Sequence, residues 1–238
     1  MDEFTRFEAM IGHDAITKLK KSHVAVFGIG GVGGHAVDTL ARSAIGKITI
    51  VDFDVIALTN LNRQLIATHS TIGQKKIDIM EKHIQDINPK CEIHSHDLFV
   101  NPETIETFDF DIYDYVLDCM DNVSAKLLVI QKAMQAQVNI LSCMGTGNKF
   151  DPMKLEIKDI YETSYCPLAR VMRRELKKRQ ITSLTVVTSS EKPVKAENTG
   201  EMQKGRQVPG SNAFVPNVAG ILMAKKAIMD LSEMKNYE

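Results

Sequence analysis

Apolar residues recur along the chain in two alternating rhythms. Residues 5–20 place Phe7, Ile11, Ala15 and Leu19 at helical spacing, which predicts an amphipathic leading helix. His23–Phe27 (HVAVF) is a short β-branched apolar run and predicts a buried strand. A glycine cluster, Gly28–Gly34, follows, and then a helical stretch to about Ser43. Lys47–Asp52 predicts a second strand. Ile72, Ile77, Met80, Ile84 and Ile87 mark a helix over 72–87 that Asn88-Pro89 stops. Strands are predicted at Cys91–His96, Tyr115–Cys119 and Val138–Cys143, with a helix over about 124–136 between the last two. Strands alternating with helices of 10–15 residues imply an α/β fold, a Rossmann-like doubly wound, mostly parallel sheet with helices on both faces.

The texture changes after Gly145–Gly147. LEIK (155–158), a charged helix (168–180), TVVT (185–188), a polar stretch (189–212) and a final helix (216–232) follow. The reading is a nucleotide-binding region over 1–150 and a smaller appendage over 151–238 packed on the same domain.

Composition narrows the function. Among 238 residues, 29 Lys+Arg against 30 Asp+Glu leave a net charge of −1, which excludes a uniformly basic nucleic-acid coat but not a local basic patch. No apolar run approaches a membrane span, and the N-terminus carries early acids in place of a secretory leader, so no membrane role is expected. The four cysteines form no C-x-x-C pair, which argues against a zinc ribbon and a disulfide scaffold and for a reducing, cytoplasmic setting. Tryptophan is absent and aromatics reach only 6%, which argues against an aromatic stacking platform for single-stranded nucleic acid.

Gly28-x-Gly30-x-x-Gly33 between a strand and a helix fits a phosphate-binding turn, with Gly31 allowing further close approach. Asp52 ends the next strand, where an acid can accept from ribose hydroxyls. A nicotinamide dinucleotide and ATP both fit that far. Beyond Asp52 and Asp54 come Asn60, Asn62, Arg63 and Gln64, then Lys76. A nicotinamide site has no use for those cations, whereas a triphosphate does: arginine chelates phosphate oxygens and lysine acts as a point charge. Asp118, Asp121 and Asn122 close the fourth strand at the carboxyl edge of the sheet, where carboxylates suit Mg²⁺ held together with phosphates.

In order and spacing, Gly28–Gly34, Asp52-x-Asp54, Asn60-x-x-Arg63-Gln64, Lys76 and Asp118-x-x-Asp121-Asn122 resemble the ubiquitin-activating-type (ThiF-type) adenylyltransferases. The resemblance implies ATP binding and transfer of AMP to a carboxylate. It puts Asp52 on the ribose, Arg63 and Lys76 on the phosphates, Asp121 on magnesium, and Asn60 and Gln64 in the phosphate loop. It further implies a homodimer in which Arg6 reaches the partner's site, a solvated helix end being the plainer alternative for Arg6. It is also compatible with a monovalent cation and a sulfur-relay partner, neither of which any residue pattern here indicates.

Relatives that activate a ubiquitin-like sulfur carrier at its C-terminal glycine commonly carry two zinc-binding C-x-x-C pairs. This chain has none. Tyr165–Lys177 and Pro209–Ala213 look instead like the branch of the family that cyclises threonylcarbamoyladenosine in tRNA. The residues agree independently. Arg170, Arg173, Arg174 and Lys177 fall at i, i+3, i+4 and i+7 on one face of the charged helix, with Lys178 and Arg179 widening the stripe. Such a stripe suits tRNA phosphates, and an ordinary solvated face is the alternative. Lys192, Lys195, Lys204 and Arg206 are candidates to supplement it. Cys166, just before this helix, is the one thiol placed to be reactive, and a packing role is the preferred reading. His94 and His96 share a strand face but lack a third metal ligand. Carrier activation, an oxidoreductase and a non-catalytic nucleotide scaffold are the competing functions.

Overall fold

The computed structural model describes residues 1–197, 202–203 and 206–233. Strands β1 (His23–Phe27), β2 (Lys47–Val51), β3 (Glu92–His96), β4 (Tyr115–Asp118), β5 (Asn139–Cys143), β6 (Leu155–Asp159) and β7 (Thr185–Ser189) form one sheet in the order β3-β2-β1-β4-β5-β7-β6. All neighbours are parallel except β6, which runs antiparallel to β7 at the edge. A short hairpin, β8 (Met202–Gln203) with β9 (Arg206–Gln207), stands apart.

β1 lies at the centre and is buried along its whole length. Its side chains alternate. Val24 and Val26 enter the core under helices α3 (Gly33–Arg42), α4 (Lys76–Ile87) and α7 (Val215–Leu231). Ala25 and Phe27 enter the opposite core with Ala125, Val129 and Ala133 of helix α5 (Val123–Gln135). Helix α6 (Pro167–Lys178) buries Ala169, Met172 and Leu176 against Leu127 and Ile130 of α5. The chain winds outward from β1 to β3, returns to β4 beside β1, and winds the other way. The crevice outside the carboxyl ends of β1 and β4, where Phe27 pairs with Asp118, is therefore the switch point at which such sheets bind ligands.

The sheet crosses the 150/151 boundary read from sequence texture. β7 pairs with β5, and Ala219, Met223 and Ala224 of α7 lie in the same core as β1. α7 reaches α3 closely because Gly220 has no side chain: a Cβ there would lie 2.1 Å from the Val32 carbonyl.

The single leading helix expected over 5–20 is two, α1 (Thr5–Ile11) and α2 (His13–Leu19). Gly12, at φ 87° and ψ 162°, leaves helical space and breaks them. The helix expected from 72 starts at Lys76, because Gly73 takes φ 83° and Lys75 is held in a bridge to Val55.

Candidate active site

The crevice is floored by the glycine turn. Gly28 leaves β1 at φ 91°, a conformation that disfavours any side chain, and donates to the Val51 carbonyl at 2.8 Å. A Cβ on Gly33 would fall 1.7 Å from the Gly28 carbonyl, so the turn closes only with glycine there. Gly31 faces Arg63 and Pro216, whose Cγ and Cβ lie 3.2 and 3.4 Å from where its Cβ would be. Gly30 faces the Gln64 amide. The N-terminus of α3 opens directly above, presenting a positive dipole end suited to anions.

Asp52 is buried and organises the turn. One carboxylate oxygen accepts the Ile29 N–H at 2.6 Å and the other the Asp54 N–H at 2.9 Å. Burial pushes its pKa above the ordinary carboxylate value, and Lys76 and the two N–H donors oppose that shift without reversing it. The buried Lys76 ammonium lies 2.7 Å from Asp54 and 3.8 Å from Asp52. It therefore sits between two acids at the start of α4.

The wall comes from 57–64. Asn60 accepts the Ala57 N–H and turns the chain, and Asn62 donates to the Ser211 carbonyl at 3.0 Å. Arg63 donates to the Thr59 carbonyl and to Asn62 Oδ1, each at 2.9 Å. Gln64 is buried, with its Oε1 lacking a partner among the described residues. An orphaned buried amide beside an anion-binding turn fits a group the site is built to receive.

The acids after β4 separate in role. Asp121 is exposed at the crevice edge. Asn122 caps α5, accepting the Ala125 N–H at 3.1 Å. Asp118, expected beside the nucleotide, has its carboxylate engaged within the fold. It is fully buried, ion-paired to Lys126 at 2.8 Å and accepting from Ser142 at 2.6 Å. Lys126 also donates to the Met120 and Cys143 carbonyls, at 3.0 and 2.8 Å. This buried cluster ties β4 to β5 and fixes the start of the 119–122 loop. Sequence reasoning overlooked Lys126 and Ser142, whose only signal was a lysine on an otherwise apolar helix face. Among the described residues no three His, Cys, Asp or Glu side chains gather as a metal site. Asp121 alone still suits Mg²⁺, which takes one or two carboxylates and completes its shell with phosphates and water.

Arg6 does not join the site of its own chain. α1 packs at the far end of α3, where Phe4 meets Ile16 and Ala44. The ten residues of α3 span roughly 15 Å between that end and the glycine turn.

A second clasp closes the carboxyl edge. Asn148 exchanges backbone and side-chain hydrogen bonds with Gly210, at 2.8 and 2.7 Å, and Asn212 donates to the Lys149 carbonyl at 2.7 Å. The loop after β5 is thereby joined to the segment leading into α7, a pairing no local pattern announces.

The basic stripe is only partly free. Arg170 and Lys177 are exposed. Arg174, Lys178 and Arg179 converge on Glu175, at 3.3, 3.0 and 3.1 Å, and these cations hold its carboxyl at about 2. Arg173, expected to face tRNA, is turned inward: its guanidinium donates to the Thr163 carbonyl at 3.0 Å and to the Thr163 hydroxyl. Its packing face, one position from buried Met172, directs it to the protein. Lys204 lies outside the described residues, as does the side chain of Arg206. Cys166 is buried and caps α6, its Sγ accepting the Ala169 N–H at 3.4 Å, which agrees with a packing role. Burial pushes the Cys91 and Cys143 thiols up to about 12, which disfavours the reactive thiolate at both.

Known proteins match this chain along nearly its whole length and in fold. The ThiF family profile matches residues 4–237. The chain is 40% identical over 242 residues to the tRNA threonylcarbamoyladenosine dehydratase of Bacillus subtilis (strain 168), covering 97% of this chain and 95% of that protein. The crystal structure of Escherichia coli tRNA N6-threonylcarbamoyladenosine dehydratase in complex with AMP superposes with a TM-score of 0.88 at 28% identity, covering 97% of this chain and 94% of that one. The same enzyme in complex with ATP superposes with a TM-score of 0.87 at 29% identity, with the same coverage.

Proposed function

The chain belongs to the ThiF family, and from that premise we propose that it is an ATP-dependent enzyme that dehydrates threonylcarbamoyladenosine in tRNA. The observation that carries this reading is near end-to-end similarity to a dehydratase of that name, joined to a crevice whose glycine turn, Asp52, Arg63 and Lys76 are arranged for a nucleotide.

ATP lies along the glycine turn with its ribose on Asp52. The threonyl carboxylate of the modified adenosine attacks the α-phosphorus, the bond to the β-phosphate oxygen breaks, and pyrophosphate leaves. Charge developing on the phosphate oxygens is met by Arg63, Lys76 and the N-terminus of α3. An atom of the urea group of the same side chain then attacks the activated carbonyl. A ring closes, AMP departs and a proton is lost. The modified nucleoside has given up one water, and ATP has become AMP and pyrophosphate. Intramolecular attack has a high effective molarity, so no enzyme nucleophile is needed, in keeping with the buried capping role of Cys166. Mg²⁺, bound through Asp121, would neutralise phosphate charge. Arg6, remote from the site of its own chain, is assigned to the partner's site in a homodimer. Arg170, Lys177 and the Glu175-linked cations face tRNA. Four free cysteines suit a cytoplasmic setting, and no helix among the described residues is long and apolar enough to cross a membrane.

Activation of a carrier protein's C-terminal glycine uses the same first step. The absent C-x-x-C pairs and the basic helix weigh against it. ATP–pyrophosphate exchange separates the two. Exchange stimulated by tRNA bearing the linear nucleoside, and not by a carrier ending in glycine, is expected. The reverse pattern would move the chain to the carrier-activating group.

A further inference from the structure

Composition argues against an aromatic stacking surface, yet one exposed aromatic, Tyr165, stands where the nucleotide crevice and the basic helix meet. Tyr165 is 55% exposed, and its backbone takes φ 57°, a left-handed conformation uncommon for a tyrosine. Such backbone is retained where the surroundings over-determine it, and it concentrates at functional sites. The surroundings here do so from both sides. Upstream, Arg173 donates to the Thr163 carbonyl at 3.0 Å while the Thr163 hydroxyl donates to the Ile160 carbonyl at 2.6 Å, which locks the turn. Downstream, Cys166 caps α6 with its Sγ 3.3 Å from where a Cβ of Gly145 would lie, so Tyr165 is fixed beside the loop that leaves β5 at the carboxyl edge.

The ring pairs with no other aromatic among the described residues, unlike Phe53 and Phe99, which contact each other at 5.0 Å. The Lys192 ammonium lies over it, 5.3 Å from the centroid. An aromatic face with a cation over it, one turn ahead of exposed Arg170, combines stacking surface with positive charge. Single-stranded RNA is read by this combination, because every base has a π-face and every linkage a phosphate.

We propose that Tyr165 is the stacking platform for an unpaired base in the single-stranded tRNA segment that carries the modified adenosine, with Lys192 over its ring and the α6 cations on the flanking phosphates. Arg173 serves as a positioning residue for that platform. The proposal rests on the tRNA reading above and names the contact that brings the substrate to the site.

The chain has no tryptophan, so Tyr165→Trp installs a single fluorescent reporter at the platform. Titration with tRNA carrying linear threonylcarbamoyladenosine is expected to quench its emission. Tyr165→Ala is expected to raise KM for that tRNA roughly 10- to 100-fold while leaving KM for ATP unchanged, with Tyr165→Phe near the native value. Tyr165→Gly, which suits the left-handed backbone, gives the same split and guards against misfolding of the alanine variant. An unchanged KM for tRNA in both the alanine and glycine variants would overturn the platform, as would unaltered tryptophan emission while filter binding registers the complex. If the native protein binds no tRNA by filter binding, the functional reading itself fails, and the platform with it.

Discussion

Asp52 and Lys76 illustrate how one buried pair serves both fold and chemistry. Asp52 spends its two oxygens on the N–H groups of Ile29 and Asp54, so the turn is set by the chain itself. Lys76 offsets the buried acid, and the proposed function puts it on phosphate. Arg63, held by Thr59 and Asn62, completes the charge. Arg63→Ala and Lys76→Ala are each expected to lower turnover roughly 100-fold or more, the usual effect of removing a group that stabilises developing charge. Steady-state kinetics on variants confirmed as folded by circular dichroism checks this, and unchanged turnover in both would remove their assigned roles. The aspartates after β4 show the limit of reading residues alone. Asp118 and Asp121 look alike in sequence, but Asp118 is claimed by Lys126 and by Ser142, 24 positions away, whereas Asp121 is exposed. Contacts made across the sheet decide which acid is spent on the fold.

At the scale of elements, α6 carries five cations and one acid, with a sixth cation, Arg179, at its C-cap, and the structure divides their labour. Arg173 holds the 160–163 turn, and Glu175 gathers three others. Periodicity made the stripe legible but could not show which side chains turn inward, because that choice depends on the packing of α6 against the turn. Arg173→Ala is therefore expected to lower Tm, as loss of a partly buried charged hydrogen-bonding group does, while leaving the salt dependence of tRNA binding unchanged. Glu175→Gln is expected to tighten tRNA binding and steepen its salt slope, since the cations it gathers become available to phosphates. Salt titrations of both variants check the division, and a shallower slope for Arg173→Ala would return that residue to the tRNA face. The same carboxylate carries a pH signature. Its pKa in the fold, about 2, lies below the ordinary 4.5, so its contribution to stability is present above 4.5 and lost as pH falls toward 2. Thermal melts across that window should fall more steeply for the native protein than for Glu175→Gln, and parallel curves would contradict the ion cluster.

Across the whole molecule, the site depends on close packing of distant segments. The glycine turn is covered by α7 through Pro216 and joined to 211 through Asn62, while Asn148 clasps Gly210. Gly220→Ala is expected to destabilise the protein by about 1–3 kcal/mol, as overpacking does, because its Cβ would press on the Val32 carbonyl and push α7 from the turn. Chemical denaturation checks it, and a stability within error of native would show that α7 can shift without strain. Much of this architecture was legible in the sequence. The alternation of strands and helices, the glycine turn and the ordered polar positions through Asn122 were all local patterns. The break at Gly12, the clasp at Asn148 and the sheet running through 185–189 were not, since each depends on backbone geometry or on partners far along the chain. We propose above that this crevice activates a carboxylate on tRNA, and mass spectrometry of nucleosides probes that step itself, using tRNA bearing linear threonylcarbamoyladenosine digested after incubation with the protein, ATP and Mg²⁺. ATP-dependent loss of one water from that nucleoside is expected, and an unchanged mass under the same conditions would refute the proposed activity.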